Sequence, residues 1–112
     1  MEESILISIK KLLGPDKEVT AFDSDIIMHI NTVLVTLNQL GVGPAEGFAI
    51  EDEKAVWKDF INNDKKFNQV KTFIYLKVKL LFDPPLNSAV LESMKQSANE
   101  LEWRLNVQAE SK

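Results

Sequence analysis

The sequence predicts an all-α fold, a compact bundle of about five helices. Apolar residues recur at helical spacing in two segments within residues 64–108. Pro84 and Pro85 separate these segments, because proline cannot continue a helix and restricts the residue before it. Glycine and proline also occur at residues 14–15 and 41–47, where two earlier helix-period segments end.

The composition fits one globular domain over residues 1–112, with residues 1–4 and 108–112 expected to fray. Cysteine is absent, so the chain has neither a disulfide nor a thiolate metal site. No stretch approaches the roughly 20 apolar residues of a membrane span, and the acidic first residues are unlike a secretory signal. The net charge of −4 argues against a protein that binds phosphate backbones by charge.

The first helix is expected at roughly residues 4–13, where five apolar residues share one face. Gly14 and Pro15 are its stop signals. The second helix ends near Leu40. It begins either with a capping box at Thr20–Asp23 or with an Asp23-Ser24 cap.

Two apolar residues of the second helix lie outside its core face. Met28 and Val35 are seven positions apart and therefore share one side of the helix. They are either isolated exposed residues, which are common, or a narrow strip that contacts a partner.

A Gly/Pro-rich loop at residues 41–47 joins the second and third helices, and Phe48-Ala49-Ile50 follows it with alternating large apolar residues. A loop of this length is often functional. Phe48 and Ile50 either cover the domain's own core or contact a neighbouring subunit.

The third helix is predicted at residues 53–62 with Asp52 as its cap, and the fourth at roughly 65–82. The fourth is apolar on two sides, so it needs neighbours on both. It is either the central helix of the domain, which we favour, or its second side meets another subunit. That second side consists of Phe73, Leu76 and Leu80.

The fifth helix begins near Asn87 or Ser88. Its apolar seam is expected to pack on the domain and consists of Leu91, Met94, Ala98, Leu101 and Leu105. Trp103 and Val107 lie on the opposite side. An indole left outside a core indicates a protein interface, where aromatic residues are enriched.

The sequence offers no catalytic constellation. His29 is the sole histidine, and Asp25 one turn earlier makes a surface pair more plausible than a metal site. The glycine loop lacks the ending of a phosphate-binding motif. Five lysines at 65–79 have no acid between them and are interpreted as a solvated helix face, or alternatively as a basic patch that faces an acidic neighbour. We expect neither enzymatic activity nor a cofactor nor a metal.

Several segments together resemble the head–tail connector proteins of tailed phages, the adaptor or head-completion family. The resemblance covers about residues 5–107 and is carried by the order of the helices, by a Trp-x-x-Phe motif and by the Phe-Asp-Pro-Pro bend. The matching segments are 23–27, 37–41, 50–52, Trp57-Lys58-Asp59-Phe60, 70–81, Phe82-Asp83-Pro84-Pro85 and 100–105.

The resemblance implies an all-α virion protein of the head–tail neck, made in the cytoplasm of a bacterial host. It implies a homo-oligomeric ring of about twelve copies around a DNA channel. The ring would contact the portal protein on one side and a stopper or tail-completion protein on the other. Double-stranded DNA would pass without sequence-specific binding. No membrane, cofactor or catalysis is implied.

A ring needs two different surfaces of each subunit to meet. From spacing, the candidates on one side are Met28, Val35, Phe48 and Ile50, and on the other Phe73, Leu76 and Leu80. Trp103 and Val107 are the candidates for portal contact. The alternative is a small helical regulatory or scaffolding protein that acts as a dimer. A DNA-binding regulator is a third hypothesis, which the apolar character of the fourth helix disfavours.

Overall fold

Five helices account for most of the chain in the computed structural model, which describes residues 2–14 and 18–110. They are α1 (Ile5–Leu13), α2 (Asp23–Gln39), α3 (Trp57–Phe60), α4 (Asp64–Phe82) and α5 (Ser88–Glu110). Within the described residues the sole β-type pairing is an isolated antiparallel bridge between Ser4 and Val56. The predicted all-α class and the number of helices are therefore confirmed.

The central element is α4, which packs against α1, α2 and α5. Its inward side chains are fully buried and include Val70, Phe73, Ile74 and Val78. Both apolar sides of this helix thus contact elements of the same subunit.

The ends of α1 follow from its sequence. The Ser4 hydroxyl accepts a hydrogen bond from the Ile7 amide at 3.2 Å and so caps the first turn. Gly14 ends the helix at φ 114°, and its amide donates to the Lys10 carbonyl at 2.9 Å. Pro15, the second predicted stop signal, lies outside the described residues.

The predicted caps of α2 are wrong. Phe22 occupies the N-cap position and makes no capping hydrogen bond through its side chain. Asp23 is instead drawn into an ion pair with Lys10, whose Nζ lies 2.8 Å from Asp23 Oδ1. The Lys10 ammonium also donates to the Val19 carbonyl at 2.7 Å and is almost completely buried. This contact fixes the end of α1 to the start of α2.

The carboxyl end of α2 is a Schellman motif. The Val42 amide donates to the Leu37 carbonyl at 2.9 Å, and the Gly41 amide donates to the Asn38 carbonyl at 3.0 Å. Gly41 has a φ of 86°, which a residue with a side chain rarely adopts. The motif turns the chain sharply, and Val42 is buried in the core.

The third helix is much shorter than the predicted 53–62. Asp52 does not cap it, because its carboxylate accepts from the Lys54 amide at 2.8 Å in a local turn. The next residues are held by the amino-terminal segment. The Ile5 amide donates to the Ala55 carbonyl at 3.0 Å, and the Trp57 amide donates to the Glu3 carbonyl at 3.1 Å. These pairings keep the backbone extended until Trp57.

The bend between α4 and α5 is where the prolines predict it. The last residue of α4 is Phe82, and the Asn87 side chain caps α5 by accepting from the amides of Ala89 and Val90 at 2.9 and 3.1 Å. Near the chain ends, Ser4 is hydrogen-bonded and α5 continues to Glu110, and fraying of residues 2–4 and 108–110 stays a prediction. The other residues expected to fray at the extreme ends, Met1 and residues 111–112, lie outside the described part of the chain.

Candidate assembly surface

The outer face of α2 carries two large apolar side chains that the protein itself does not cover. Met28 is 56% exposed and Val35 is 58% exposed. The inward face of the same helix is completely buried and consists of Ile26, Ile30, Val33, Leu34 and Leu37. Met28 and Val35 therefore form an apolar strip on the side of α2 that faces away from α4.

The outer face of α5 carries an exposed indole. Trp103 is 65% exposed, and Val107, one turn further on, is also exposed, whereas Leu105 between them is fully buried. Arg104, the next residue, donates to the Glu100 carboxylate at 2.6 Å and lines a groove beside Leu76 of α4. An exposed tryptophan is one of the side chains that dominate binding energy at protein interfaces.

The long loop is held against α2 instead of extending from the protein. The Asn31 side chain makes two hydrogen bonds with the backbone of Ile50. Its Nδ2 donates to the Ile50 carbonyl at 3.0 Å, and its Oδ1 accepts from the Ile50 amide at 2.8 Å. The Asn38 amide group donates to the Pro44 carbonyl at 3.0 Å and so fixes the first part of the loop.

The two large apolar residues at the end of this loop belong to the core of the subunit. Ile50 is buried, and Phe48 is half-buried with its ring centroid 5.4 Å from that of Phe60. Gly43 passes directly over the Phe60 ring, where a Cβ atom would lie 2.4 Å from Cε1. Ile50 therefore has almost no exposed surface for a contact with a neighbouring subunit, whereas part of the Phe48 side chain is exposed.

The second apolar side of α4 is covered by α5. Phe73 is fully buried, Leu76 is nearly so, and Leu80 is half-buried. An open groove remains beside Leu76, where Leu101 and Arg104 of α5 form the opposite wall. Helical spacing correctly separates the two sides of α4, but it does not reveal that a helix of the same chain covers the second.

The corner between α4 and α5 is an apolar surface that the sequence interpretation missed. Leu86 is fully exposed in the turn, and Phe22, Leu81 and Val90 are about half exposed. The Phe22 ring lies 5.7 Å from that of Phe82, so the start of α2 meets this corner. The available signal was a leucine directly after two prolines, in the turn between two helices.

The titratable residues of the described segments form no cluster suited to a metal ion. Within residues 2–14 and 18–110, no group of three or more His, Asp or Glu side chains could hold a metal ion. His29 lies with its ring centroid 6.2 Å from that of Phe82, and the described ion pairs do not join it to Asp25. In the same part of the chain no helix is long and apolar enough to cross a bilayer.

Exposed tryptophan, methionine and leucine side chains lie in separate places on this helical chain and are candidate contacts for other proteins. The comparison with protein families agrees. Residues 5–112 match the model of the phage connector protein family. The chain therefore belongs to this family, whose role in the head–tail neck of the virion is structural. No curated protein and no solved structure matches the chain.

Proposed function

We propose that this connector protein is the ring-forming adaptor between the portal and the stopper or tail-completion protein. About twelve copies would surround the channel through which double-stranded DNA passes. The protein would be made in the bacterial host's cytoplasm and act in the assembled neck. Membership of the connector family supports a structural place between head and tail proteins.

The observation that carries the ring proposal is the position of the exposed apolar residues. Met28 and Val35 are exposed on α2, and Leu80 on α4, one turn after the largely buried Leu76, keeps part of its surface accessible. Two different surfaces allow subunits to meet through unlike faces, which is the arrangement that can close into a ring. Two copies related by a twofold axis would need one self-complementary surface instead.

We assign Met28, Val35 and the partly exposed Phe48 to one side of the contact between subunits, and the partly exposed Leu80 to the other side. Ile50, Phe73 and Leu76 support these surfaces from inside the subunit. Trp103 and Val107 are assigned to the portal. The net charge of −4 supports a channel that does not retain DNA, because like charges repel.

The decisive experiment is to produce the protein together with the portal protein of the same phage and to image the purified particles by electron microscopy. We expect an additional ring beneath the portal, with the protein in stoichiometric amount. The protein is also imaged alone, because a portal can be required to template the ring. Portal particles that lack the extra ring, at protein concentrations well above those of the portal, would contradict the proposal.

A further inference from the structure

A groove separate from the surfaces above lies where α1, the start of α2 and residues 51–53 meet. Its cavity has a volume of about 450 Å3. The floor is apolar and is formed by Leu6, Ile7 and Ile27. Leu6 is buried beneath, whereas Ile7 and Ile27 keep part of their surface accessible. A single apolar side chain from a partner would therefore find apolar contacts there.

The rim of this groove is acidic. Glu51, Asp52 and Glu53 are three consecutive exposed carboxylates along one edge. None of the described ion pairs includes them. Lys10 is already occupied by Asp23 and the Val19 carbonyl, and Lys54 is exposed without an ion pair to the rim. The edge therefore keeps an unbalanced negative charge above an apolar floor.

The rim is held in place at both ends. Ile50, just before it, is bonded through amide and carbonyl to Asn31 of α2. Ala55, just after it, accepts from the Ile5 amide of α1 at 3.0 Å. The four residues between these anchors have little freedom to lose on binding, and a preformed surface binds with a smaller entropy cost.

Other classes of ligand fit this groove less well. The carboxylates would repel the phosphates of a nucleic acid. The described residues contain no cluster suited to a metal ion. The amino end of α2 would attract an anion, but Asp23 and Asp25 in its first turn offset that partial charge.

We propose that this groove binds a positively charged segment of a partner protein. Lysine or arginine side chains of that segment would meet Glu51, Asp52 and Glu53, and one apolar side chain would lie on Ile7 and Ile27. The charges would set the rate and the specificity of the encounter, and the apolar contact would slow dissociation. The proposal does not depend on the ring or on the portal, because none of the residues that line this groove is assigned to either contact.

The test uses isotope-labelled full-length protein and a short acetylated peptide in which lysine and leucine alternate. Backbone amide shifts are followed by NMR during titration at low and at moderate salt. The first variant carries Glu51→Gln, Asp52→Asn and Glu53→Gln. The matched control carries Glu92→Gln, Glu100→Gln and Glu102→Gln, which removes the same charge from α5. A second peptide with serine in place of leucine tests the apolar floor.

We expect the largest shifts at α1, at the start of α2 and at residues 51–54. The rim variant should bind the lysine–leucine peptide about tenfold more weakly, and the α5 control less than about twofold more weakly. The serine peptide should bind weakly to every form of the protein. Equal weakening by both variants would show general attraction to an acidic protein and would overturn the proposal. Shifts centred elsewhere, or no shifts, would overturn it as well.

Discussion

The side chain of Asn31 pairs with both backbone groups of Ile50, as a neighbouring β-strand would, although it projects from the middle of a helix. The pairing joins residues that lie nineteen positions apart. It explains how a long loop with three glycines stays closed over the core. It also fixes the residue that precedes the acidic rim of the groove.

Replacing Asn31 with alanine should therefore destabilise the protein by about 2 kcal/mol, because both backbone groups of a buried residue lose their partners. Urea unfolding followed by circular dichroism measures the change. Thr32→Ala is the control, since its hydroxyl bonds to the Met28 carbonyl on the exposed side of the same helix. We expect less than about 0.5 kcal/mol for the control. Equal losses would show that Asn31 has no special role.

Gly43→Ala should destabilise the protein more than Gly47→Ala. Both glycines have positive φ, 88° and 93°, so either alanine is strained by about 1 kcal/mol. A Cβ on Gly43 would also collide with the Phe60 ring, whereas a Cβ on Gly47 would meet no atom within 4 Å. We expect a total loss of about 3 kcal/mol for Gly43→Ala. Thermal unfolding of the two variants side by side gives the difference. Similar melting temperatures would contradict the close approach to Phe60.

Lys10→Ala should cost about 3 kcal/mol, because it leaves the Asp23 carboxylate without its partner in a largely buried position. The exposed pair of Arg104 and Glu100 is the internal comparison, and Arg104→Ala should cost less than about 0.5 kcal/mol. Chemical unfolding at fixed ionic strength provides both values. A loss for Lys10→Ala no greater than that for Arg104→Ala would show that the pair linking α1 to α2 contributes little.

Trp103→Ala should weaken attachment to the portal about tenfold or more and leave the stability within about 0.5 kcal/mol, because the indole is exposed. Co-sedimentation with portal particles measures attachment, and urea unfolding measures stability. Leu105 lies two residues away but is fully buried, so Leu105→Ala should have the opposite effect. It should lose about 3 kcal/mol of stability, and attachment to the portal should change less than for Trp103→Ala. Unchanged attachment of Trp103→Ala would remove this residue from the portal contact.

Helical periodicity predicted most of the fold, because the spacing of apolar residues shows which face of each helix packs against its neighbours. It placed α1, α2, α4 and α5 within a few residues of their observed ends. It failed at α3, because the backbone of residues 55–57 is held by residues 3–5, about fifty positions earlier. No local pattern carries such a contact.

Helical spacing also predicted part of the candidate site, because it shows which side chains of a helix point away from its core face. Spacing shows that Met28, Val35 and Trp103 point away from the core faces of their helices, and all three are exposed. Spacing cannot show what covers a second apolar side, so it leaves Phe73 as a candidate for a subunit contact, although this residue is fully buried in the core of the subunit. Helical spacing also gives no sign that Lys10, in the last turn of α1, is buried, because its partner Asp23 is brought close only by folding.

One core contains residues from both ends of the chain, since Ile5 and Leu105 are fully buried in the same cluster. The ribosome releases the amino-terminal residues first. A nascent chain therefore contains α1, α2 and α4 before α5, which packs on α4, has been synthesised. An unfinished chain therefore exposes the second apolar side of α4, which α5 covers in the folded protein, to chaperones and proteases.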